Sequence, residues 1–407
     1  MTERRTPFYD YHLRHAGLLV KGGGDFMFPD AFTSAAQEHV NTRTNVGMQD
    51  ISSMGEVDVK GPGAERFLNT LVVNDVRTLE PGQMRYTTMV NEQGGIVDDI
   101  TIYKFNDEHF MIVTSSAPRK SAVRWIADNA QGSSTYVTDI TAAVALAVIQ
   151  GPRSRDLLGA LAKGVDLDAL PFFRFGRAQV LGVDLILSRS GYTGELGYEL
   201  YAPADEAGAL WEELLRKGKE FGLQPYGAGA MQSLRIEKAF PLYGPDLSQE
   251  VSPFHVGLDR FIRFDKRTFV GRDALLRIQE QGAHERWVGL VLDSGSAANA
   301  GDPIHAVGDI PTTRSRRKSG PESGEESDVF QAGQHVGRVT SSAIGYTVGR
   351  TLALGFVAAS HAWPGSRLIV EIAGRPVAAT VSTTPFFDPS GARLRAKHTD
   401  APRRRDR

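Results

Sequence analysis

Two adjacent carboxylates, Asp98 and Asp99, are the residues of this sequence with the clearest capacity for acid–base chemistry. They lie in a stretch that otherwise consists of Ile, Val, Thr and Tyr, residues 96–103. Aspartate is depleted in strands, and a carboxylate in an apolar setting needs a partner or a shifted pKa. This stretch alone is compatible with a strand end that carries two solvated carboxylates and with a strand that presents one carboxylate to a ligand.

A β-hairpin is the element that must position these carboxylates. Residues 86–90 predict its first arm, residues 92–95 its turn and residues 96–103 its second arm. Because successive side chains alternate, the two carboxylates point to opposite faces and do not form an acid–base pair unless a bulge intervenes. Each shares its predicted face with three residues: Ile96, Ile100 and Ile102 for Asp98, and Val97, Thr101 and Tyr103 for Asp99.

The composition is that of an ordinary globular protein of 407 residues, with 41% hydrophobic and 23% charged residues. This length predicts two or three domains. The formal net charge of −2 gives no indication of nucleic acid or an anionic membrane as a partner. There is no cysteine, which excludes disulfides, thiolate nucleophiles and zinc–thiolate sites and fits a reducing cytoplasm. The ten histidines show no metal-binding spacing, so no metal site is expected.

No membrane span or secretion signal is expected. The first residues lack the apolar core of a signal peptide, and the longest apolar run, residues 142–149, is too short to cross a bilayer. These features predict a soluble, cytoplasmic protein.

A unit of strand, Gly-Pro and helix occurs twice, at residues 56–68 and 145–158. Proline suits the first position of a helix, where its missing N–H is not needed. The repeat predicts an α+β body of two related lobes, and a chance similarity between two short turns is the alternative. Further along the chain, residues 180–189 predict one strand that leads into a glycine-containing loop at residues 190–197.

From about Arg286 the pattern changes to short strands at regular spacing, which predicts a small antiparallel barrel or sandwich. We therefore expect two related α+β lobes at residues 1–285 and a β-barrel domain at residues 286–395. A low-complexity loop at 312–328 and a tail at 396–407 are predicted to be disordered.

Several motifs together resemble the glycine cleavage T-protein (aminomethyltransferase) family. The hairpin sequence at residues 91–99 resembles the signature of that family, and further similarities follow in order between about residue 6 and residue 395. They are Ile51-Ser52-Ser53-Met54-Gly55-Glu56, Gln150-Gly151-Pro152, Ser190-Gly191-Tyr192-Thr193-Gly194-Glu195, Leu234-Arg235-Ile236-Glu237 and Leu242-Tyr243-Gly244.

The resemblance implies a three-domain cloverleaf, in which two α+β lobes enclose tetrahydrofolate and a C-terminal barrel-like domain follows. It implies transfer of a one-carbon unit from an amine or another donor to tetrahydrofolate. Asp99 matches the family's acid–base or charge-stabilising residue. A carboxylate in a dry cavity has a raised pKa and is suited to proton transfer near neutral pH.

The resemblance also implies six cofactor-binding residues, for which packing in the core is the alternative. They are Met54 on the pterin ring, Tyr86 and Tyr192 along the pterin and aminobenzoyl slots, Phe172 where the family often has tyrosine, Glu199 at the pterin amino edge, and Tyr243 closing the cavity.

Some positions depart from the family pattern. Met231 and Gln232 stand where the family has Arg-Asp, and the arginine contributes to binding of the substrate or the folate tail. Ser53 replaces a histidine and His255 replaces a glutamate. Residues 21–26 occupy the place of an early Phe-Ala-Gly-Trp stretch.

Two segments, residues 230–240 and 385–395, are more similar to the folate-binding domains of dimethylglycine and sarcosine dehydrogenases. The chain has no flavin-binding half, so it is not such a dehydrogenase by itself.

The donor therefore stays open. T-proteins take an aminomethyl group from a lipoyl-carrier protein, which is one candidate partner. A stand-alone demethylase of the same family would take a methyl group from a small N-, O- or S-methyl compound. A non-catalytic folate-binding helper is a further alternative, although the Lys-Gly-Cys motif typical of such helpers is missing from this cysteine-free chain.

Overall fold

The computed structural model of the chain describes residues 4–308 and 332–396. The predicted disordered loop, 312–328, lies outside the described residues, as does the predicted tail apart from Ala396. The α-helices of the described part are α1 (Tyr9–His15), α2 (Ala35–Thr44), α3 (Ala64–Leu71), α4 (Arg119–Asn129), α5 (Ser154–Leu161), α6 (Ala207–Gly218), α7 (Ala228–Glu237) and α8 (Arg272–Gln281).

The strands form a short hairpin, two sheets and a barrel. In chain order they are β1 (Leu18–Lys21), β2 (Met27–Ala31), β3 (Val46–Asp50), β4 (Gly55–Lys60), β5 (Met84–Val90), β6 (Ile96–Asn106), β7 (His109–Thr114), β8 (Tyr136–Asp139), β9 (Val144–Gln150), β10 (Ala162–Lys163), β11 (Phe175–Val180), β12 (Val183–Ser188), β13 (Gly197–Pro203), β14 (Leu223–Pro225), β15 (Glu285–Leu292), β16 (Pro303–Val307), β17 (Ala332–Gly345), β18 (Arg350–Ala358), β19 (Arg367–Ile372) and β20 (Arg375–Ser382).

The first lobe contains a five-stranded antiparallel sheet with the order β5-β6-β7-β4-β8. Its first two strands are the hairpin predicted from the sequence, so that prediction is confirmed. The apolar residues of one face pack with α3 and α4 into a core that includes Val57, Leu68, Ile100 and Ile126. Burial of such side chains is the main force that holds a sheet against its helices.

The second lobe contains a seven-stranded sheet with the order β10-β11-β12-β13-β9-β3-β14. Only its β3–β14 pair is parallel. The core of this lobe is built around the fully buried Trp211 of α6, with Leu157 of α5 and Ile149 of β9. Since β3 precedes the first lobe in the chain and pairs with β9 of the second, the two lobes are interleaved. The boundary after residue 285 stays a prediction.

The duplicated turn is present in both lobes. Gly61 and Gly151 have φ of +126° and +132°, a conformation that side chains other than glycine rarely adopt. A Cβ at Gly151 would lie 2.3 Å from the Asn45 carbonyl oxygen, so the close approach of the backbone also requires glycine. The helices begin at Ala64 and Ser154, two residues after each proline. The expectation that proline occupies the first helical position was therefore wrong.

The strand predicted at residues 180–189 is in fact the end of one strand and the whole of the next. Leu181 and Gly182, both with positive φ, turn the chain between β11 and β12. This tight turn was hidden by the continuous apolar character of the segment.

A bulge changes the alternation at the start of β6. The register with β5 shifts between Met89 and Val90, so that Met89 pairs with Asp98 but Val90 pairs with Ile96. Val97 consequently packs in the first-lobe core with Ile100, whereas Ile96 packs in a different cluster. The predicted faces of these two residues were wrong, because a bulge inserts one extra residue that periodicity does not reveal.

The C-terminal region forms a closed antiparallel barrel with the strand order β15-β18-β17-β16-β19-β20, and β20 pairs back with β15. This confirms the predicted barrel, although β16 was not recognised in the sequence. Among the described residues, no helix combines the length and the apolar character needed to cross a membrane.

Candidate active site

Asp98 and Asp99 have different surroundings on the two faces of β6. Asp99 is half-buried and accepts hydrogen bonds from the Tyr86 hydroxyl and from Ser115 Oγ, each at 3.0 Å. Asp98 is fully buried, and its Oδ2 accepts the Ser115 backbone N–H at 3.0 Å. Its Oδ1 has no hydrogen-bond partner among the described residues. The two carboxylates therefore do not form an acid–base dyad, as alternation predicted.

Burial raises the pKa of both carboxyl groups. For Asp98 the rise is large, because the charge of Asp99 adds to the effect of burial. For Asp99 the hydrogen bonds from Tyr86 and Ser115 favour the ionised form and offset part of the rise. Asp99 consequently ionises first as pH increases, and Asp98 stays protonated to higher pH.

Three tyrosines are close enough to Asp99 to feel its charge, and one of them, Tyr86, contacts it. Burial raises the pKa of Tyr86, Tyr192 and Tyr243, and the charge of Asp99 raises each of them further. The pKa of Tyr243 is raised to about 12. The Tyr192 hydroxyl donates to the Pro241 carbonyl oxygen at 2.5 Å. These tyrosines stay protonated at neutral pH and supply ring faces and hydroxyl groups around one carboxylate.

Glu199 forms a second polar centre on β13 of the other lobe. Its Oε2 accepts hydrogen bonds from three buried hydroxyl groups: Tyr103 at 2.9 Å, Tyr201 at 2.8 Å and Ser188 at 3.2 Å. Tyr103 belongs to β6, on the same face as Asp99, so this network joins the two sheets. Glu199 itself is half-buried, and no described residue donates a hydrogen bond to its Oε1. That oxygen remains available to an N–H donor of a ligand.

Between these centres lies an apolar cluster contributed by both lobes, which includes Tyr103 and Phe175. Met54 packs against it, as does Phe173. Phe172 does not belong to this cluster, although its ring centroid lies 4.3 Å from that of Phe173. Phe173 was missed in the sequence because its backbone adopts φ of +62°, an unusual value for phenylalanine that adjacent residue types do not predict.

The seven predicted site residues are all partly accessible, and three of them lie on strands whose other residues are mostly buried. They are Met54, Tyr86, Asp99, Phe172, Tyr192, Glu199 and Tyr243. Aromatic faces with a few isolated acceptors are typical of sites for flat heterocycles. The pterin ring of a folate carries an amino group and a ring N–H that can donate to the free oxygen of Glu199, so these residues fit a folate.

Ser115 is a functional candidate that the sequence analysis did not include. It holds both carboxylates, through its hydroxyl to Asp99 and its backbone N–H to Asp98. The register of β6 with β7 pairs Thr101 with Val113, and continuing this pairing places Ser115 opposite Asp99. The register of the second hairpin was therefore the signal that could have revealed it.

The departures from the family pattern are packed into the structure around the site. Met231 packs on an apolar cluster with Val148 and Tyr226, and Gln232 accepts a hydrogen bond from Arg235 Nε at 3.1 Å. Ser53 Oγ lies 2.6 Å from Ser116 Oγ. His255 Nδ1 lies 2.7 Å from Ser252 Oγ. In the described part of the chain, no group of three or more His, Asp or Glu residues could hold a metal ion.

Comparison with known families gives two matches that together cover most of the chain. The family described as GCVT N-terminal domain matches residues 8–266. The family described as glycine cleavage T-protein C-terminal barrel domain matches residues 286–388.

Individual relatives agree with these matches. The chain is 36% identical to an aminomethyltransferase of Moorella thermoacetica over 385 residues, 94% of this chain and 98% of the relative. It is 33% identical to an aminomethyltransferase of Thermoanaerobacter pseudethanolicus over 386 residues, 94% of this chain and 97% of the relative. The crystal structure of the glycine cleavage system aminomethyltransferase T from Bartonella henselae superposes with a TM-score of 0.83 at 26% identity, covering 95% of this chain and 99% of that chain. The chain thus belongs to the glycine cleavage T-protein family, whose members are tetrahydrofolate-dependent transferases of one-carbon groups.

Proposed function

We propose that this protein transfers a one-carbon unit from a methylene or methyl donor to tetrahydrofolate and that Asp99 is its catalytic residue. The observation that carries the proposal is the environment of Asp99. Its carboxylate is half-buried, has a raised pKa and is held by two hydroxyl donors, those of Tyr86 and Ser115. No described cation neutralises it, so it is free to act on a ligand.

In this proposal, tetrahydrofolate supplies the amine nitrogens that accept the carbon. Asp99 accepts the proton that such a nitrogen loses and balances positive charge that develops beside it. Tyr86 and Ser115 fix the orientation of the carboxylate and favour its ionised form against the effect of burial. Glu199 binds the amino edge of the pterin through its free oxygen, and the apolar cluster between the lobes limits the access of water. Met54, Phe172, Tyr192 and Tyr243 complete the binding surface in this proposal.

Two classes of donor compete. The intact hairpin sequence at residues 94–99 favours an aminomethyl group carried by a lipoyl-carrier protein, which would then be a partner of this chain. Met231, Ser53 and His255 favour a small methylated compound, because their side chains are engaged in local packing and hydrogen bonds and do not reproduce the charged family pattern.

One experiment separates these classes. The purified protein is incubated with tetrahydrofolate and either an aminomethylated lipoyl carrier or a panel of N-, O- and S-methyl compounds. The product is then identified by mass spectrometry. Methylene-tetrahydrofolate formed with the carrier alone would assign the aminomethyltransferase reaction, and methyl- or methylene-tetrahydrofolate formed with a small donor would assign the demethylase. Folate binding without turnover of any donor would favour the non-catalytic helper. The cytoplasmic location remains a prediction, and microscopy of the tagged protein in its own cells would test it.

A further inference from the structure

A cleft of about 710 Å³ lies on the other side of the loop that carries Ser53 and Met54, next to the N-terminal segment. Its lining includes Arg4, Arg5 and Arg119, with Phe26 between two of them. Neither the proposed reaction nor the folate-binding residues use this cleft.

Arg4 and Arg119 both lie against the ring of Phe26. Their guanidinium carbons are 4.3 Å and 5.3 Å from the ring centroid. Phe26 is only 5% exposed, and it follows a turn in which Gly24 and Asp25 both have φ of +68°. This turn belongs to the segment that departs from the family pattern, residues 21–26. This segment therefore places the ring of Phe26 where the guanidinium groups of Arg4 and Arg119 both contact it.

These two arginines are incompletely paired within the described part of the chain. Arg119 is only 6% exposed, yet it makes no hydrogen bond or ion pair with any described residue. The Nη1 atom of Arg4 is likewise buried without a hydrogen-bond partner among the described residues. Burial and the charge of Arg4 lower the pKa of Arg119. Arg4 is half-buried, and neither guanidinium forms an ion pair with a described carboxylate. The charges of Asp139 and Glu56 favour the charged form of Arg119 without contacting it, so the loss of hydration of this buried cation is only partly compensated.

The carboxylates nearby do not neutralise the cleft. Asp139 and Asp205 also line it, but both are exposed, and Asp139 Oδ1 accepts the backbone N–H of Thr141 at 3.0 Å. Glu56 lies behind the cleft, where burial raises its pKa well above the ordinary value and neither oxygen has a hydrogen-bond partner among the described residues. The charges of Glu56 and Arg119 favour each other without contact, which offsets part of the effect of burial on both groups. The guanidinium groups of Arg4 and Arg119 therefore line a cleft whose exposed carboxylates, Asp139 and Asp205, do not pair with them.

We propose that this cleft is an anion-binding site in which Arg4 and Arg119 bind a carboxylate or phosphate group of a small molecule. Guanidinium groups bind such anions through paired N–H donors, and partial burial strengthens that interaction. The anion site itself does not depend on the proposed reaction, whereas the two carboxylate sources considered below rest on the proposed function.

The cleft is connected to the active site through one short segment. Ser115 donates to Asp99, the adjacent Ser116 contacts Ser53, and Arg119 begins the helix that follows. An anionic group bound here would therefore lie behind the segment that holds the catalytic carboxylate. Two sources of a carboxylate are compatible with this place: a carboxylate-bearing one-carbon donor, and the glutamyl tail of a folate.

The test is the thermal unfolding of the full chain during titration with inorganic phosphate and with acetate, with potassium chloride at matched ionic strength as the salt control. Calorimetric titration gives the dissociation constant. We expect a saturable rise in Tm for the wild-type protein, since a ligand that binds only the folded state stabilises it. Arg119→Gln and Arg4→Gln should each weaken phosphate binding at least tenfold. Arg153→Gln is the matched control, because Arg153 also lies over an aromatic ring, 5.5 Å from the Phe221 centroid, on a different surface.

The unliganded variants distinguish binding from a structural role. If Arg119 serves an anion, Arg119→Gln without phosphate should have a Tm equal to or above that of the wild type, since an unpaired buried charge is removed. Absence of a phosphate-dependent rise in the wild type would overturn the proposal. So would equal phosphate affinity in the wild type and Arg4→Gln, whether or not Arg119→Gln folds.

Two further titrations identify the source of the anion. One compares tetrahydropteroate with its glutamyl-bearing form, and the other compares an N-methylated amino acid with the amine that lacks the carboxylate. A tenfold loss in Arg4→Gln for only the carboxylate-bearing member of a pair supports the site and assigns that source. Unchanged affinity in both pairs together with lost phosphate binding supports a site for a free phosphate-type anion.

Discussion

Two buried groups of carboxylates in this protein have opposite chemistry. Asp98 and Asp99 on β6 have raised pKa values and are contacted by hydroxyl groups and a backbone N–H. Glu237 on α7 is fully buried, but the hydrogen bonds and charges of His39 and Arg43 outweigh the effect of burial and lower its pKa to about 2. Burial alone therefore does not decide whether a carboxylate is reactive. The balance between burial and the contacting cations decides the direction of the shift: at Glu195, which contacts Arg43 and Arg393, burial still prevails and the pKa is raised.

Glu237, the carboxylate paired with a cation, also occupies a different place in the fold. We call it the paired group, and Asp98 and Asp99 the unpaired group. Glu237 Oε2 accepts from Arg43 Nη2 at 2.9 Å, and its Oε1 accepts the backbone N–H groups of Thr347 and Val348 at 2.7 Å and 3.2 Å. Arg43 belongs to the lobes and Thr347 follows a barrel strand, so Glu237 joins the barrel to the lobes. We infer that this group maintains the assembly of the domains, whereas the hairpin group is kept unpaired for chemistry.

The largest expected effect is a loss of activity when Asp99 of the unpaired group is replaced. Asp99→Asn should lower kcat for product formation about 10²- to 10⁴-fold, the usual contribution of a positioned acid–base group. The amide keeps the size of the side chain but cannot accept the proton. Single-turnover kinetics with saturating tetrahydrofolate would measure it.

Asp184→Asn is the matched control, because Asp184 is exposed on β12 and its carboxylate contacts only the Gln179 side chain among the described residues. It should leave kcat unchanged. Retention by Asp99→Asn of activity within a factor of about three of the wild type would refute the role given to Asp99 and, with it, the contrast between the two groups.

The next effect is on stability in the paired group. Glu237→Gln should lower the free energy of unfolding by about 3–5 kcal/mol, because it leaves Arg43 as a buried charge without one of its partners. Denaturant titration would measure the loss. Glu213→Gln, which breaks an exposed ion pair with Arg216 on α6, should cause no measurable change. Equal stability of Glu237→Gln and the wild type would show that the network contributes nothing to folding.

The sequence predicts much of the hairpin that carries Asp98 and Asp99. It predicts much less of the ion-pair network of Arg43 and Glu237. Asp98 and Asp99 are adjacent, so period-two alternation placed them on opposite faces without knowledge of the fold. The repeated Gly-Pro turn and the barrel strands were also local patterns. The bulge at Val97 escaped the same reasoning, since an extra residue in a strand depends on the partner strand.

Contacts between residues close in the sequence could be predicted, and contacts between distant residues could not. Tyr86 is opposite Thr101 on the neighbouring strand, a short-range relation that hairpin register provides. By contrast, Arg43 and Glu237 are separated by 194 positions, and no periodicity predicts that they meet. Glu195 and Glu237 were quoted only as parts of motifs, and their pairing with Arg43 depends on tertiary structure. Long-range ion pairs are decided by packing, which the pattern of one chain does not contain.

The two groups should also respond differently to acid. The folded pKa of Glu237 is about 2, below its ordinary value of 4.5, so its contribution to stability is present above pH 4.5 and is lost as pH falls towards 2. The shift corresponds to about 3 kcal/mol. Unfolding free energies measured between pH 6 and pH 2 should show this loss in the wild type and a flatter profile in Glu237→Gln. Parallel profiles would assign the acid sensitivity to other groups.

The smallest expected effect is a change in the pKa of Asp99 when one of its hydroxyl donors is removed and the carboxylate itself is kept. The Tyr86 hydroxyl donates to Asp99 and lowers the pKa of that carboxyl, against the larger effect of burial. Tyr86→Phe should therefore raise the pKa of Asp99 and move the acidic limb of the kcat–pH profile to higher pH. The hydrogen bond that this variant loses contributes about 1.5–3 kcal/mol at most to the free energy of unfolding. Ser115→Ala removes the other hydroxyl donor and should shift the limb in the same direction. A limb that stays in place in both variants would mean that a group other than Asp99 controls the acidic side of the reaction. If the acidic limb shifts in both single variants and shifts further in the double variant, the two hydroxyl groups favour the ionised form of the Asp99 carboxylate. Hydroxyl donors would then do at Asp99 what cations do at Glu237, without pairing the carboxylate with a charge.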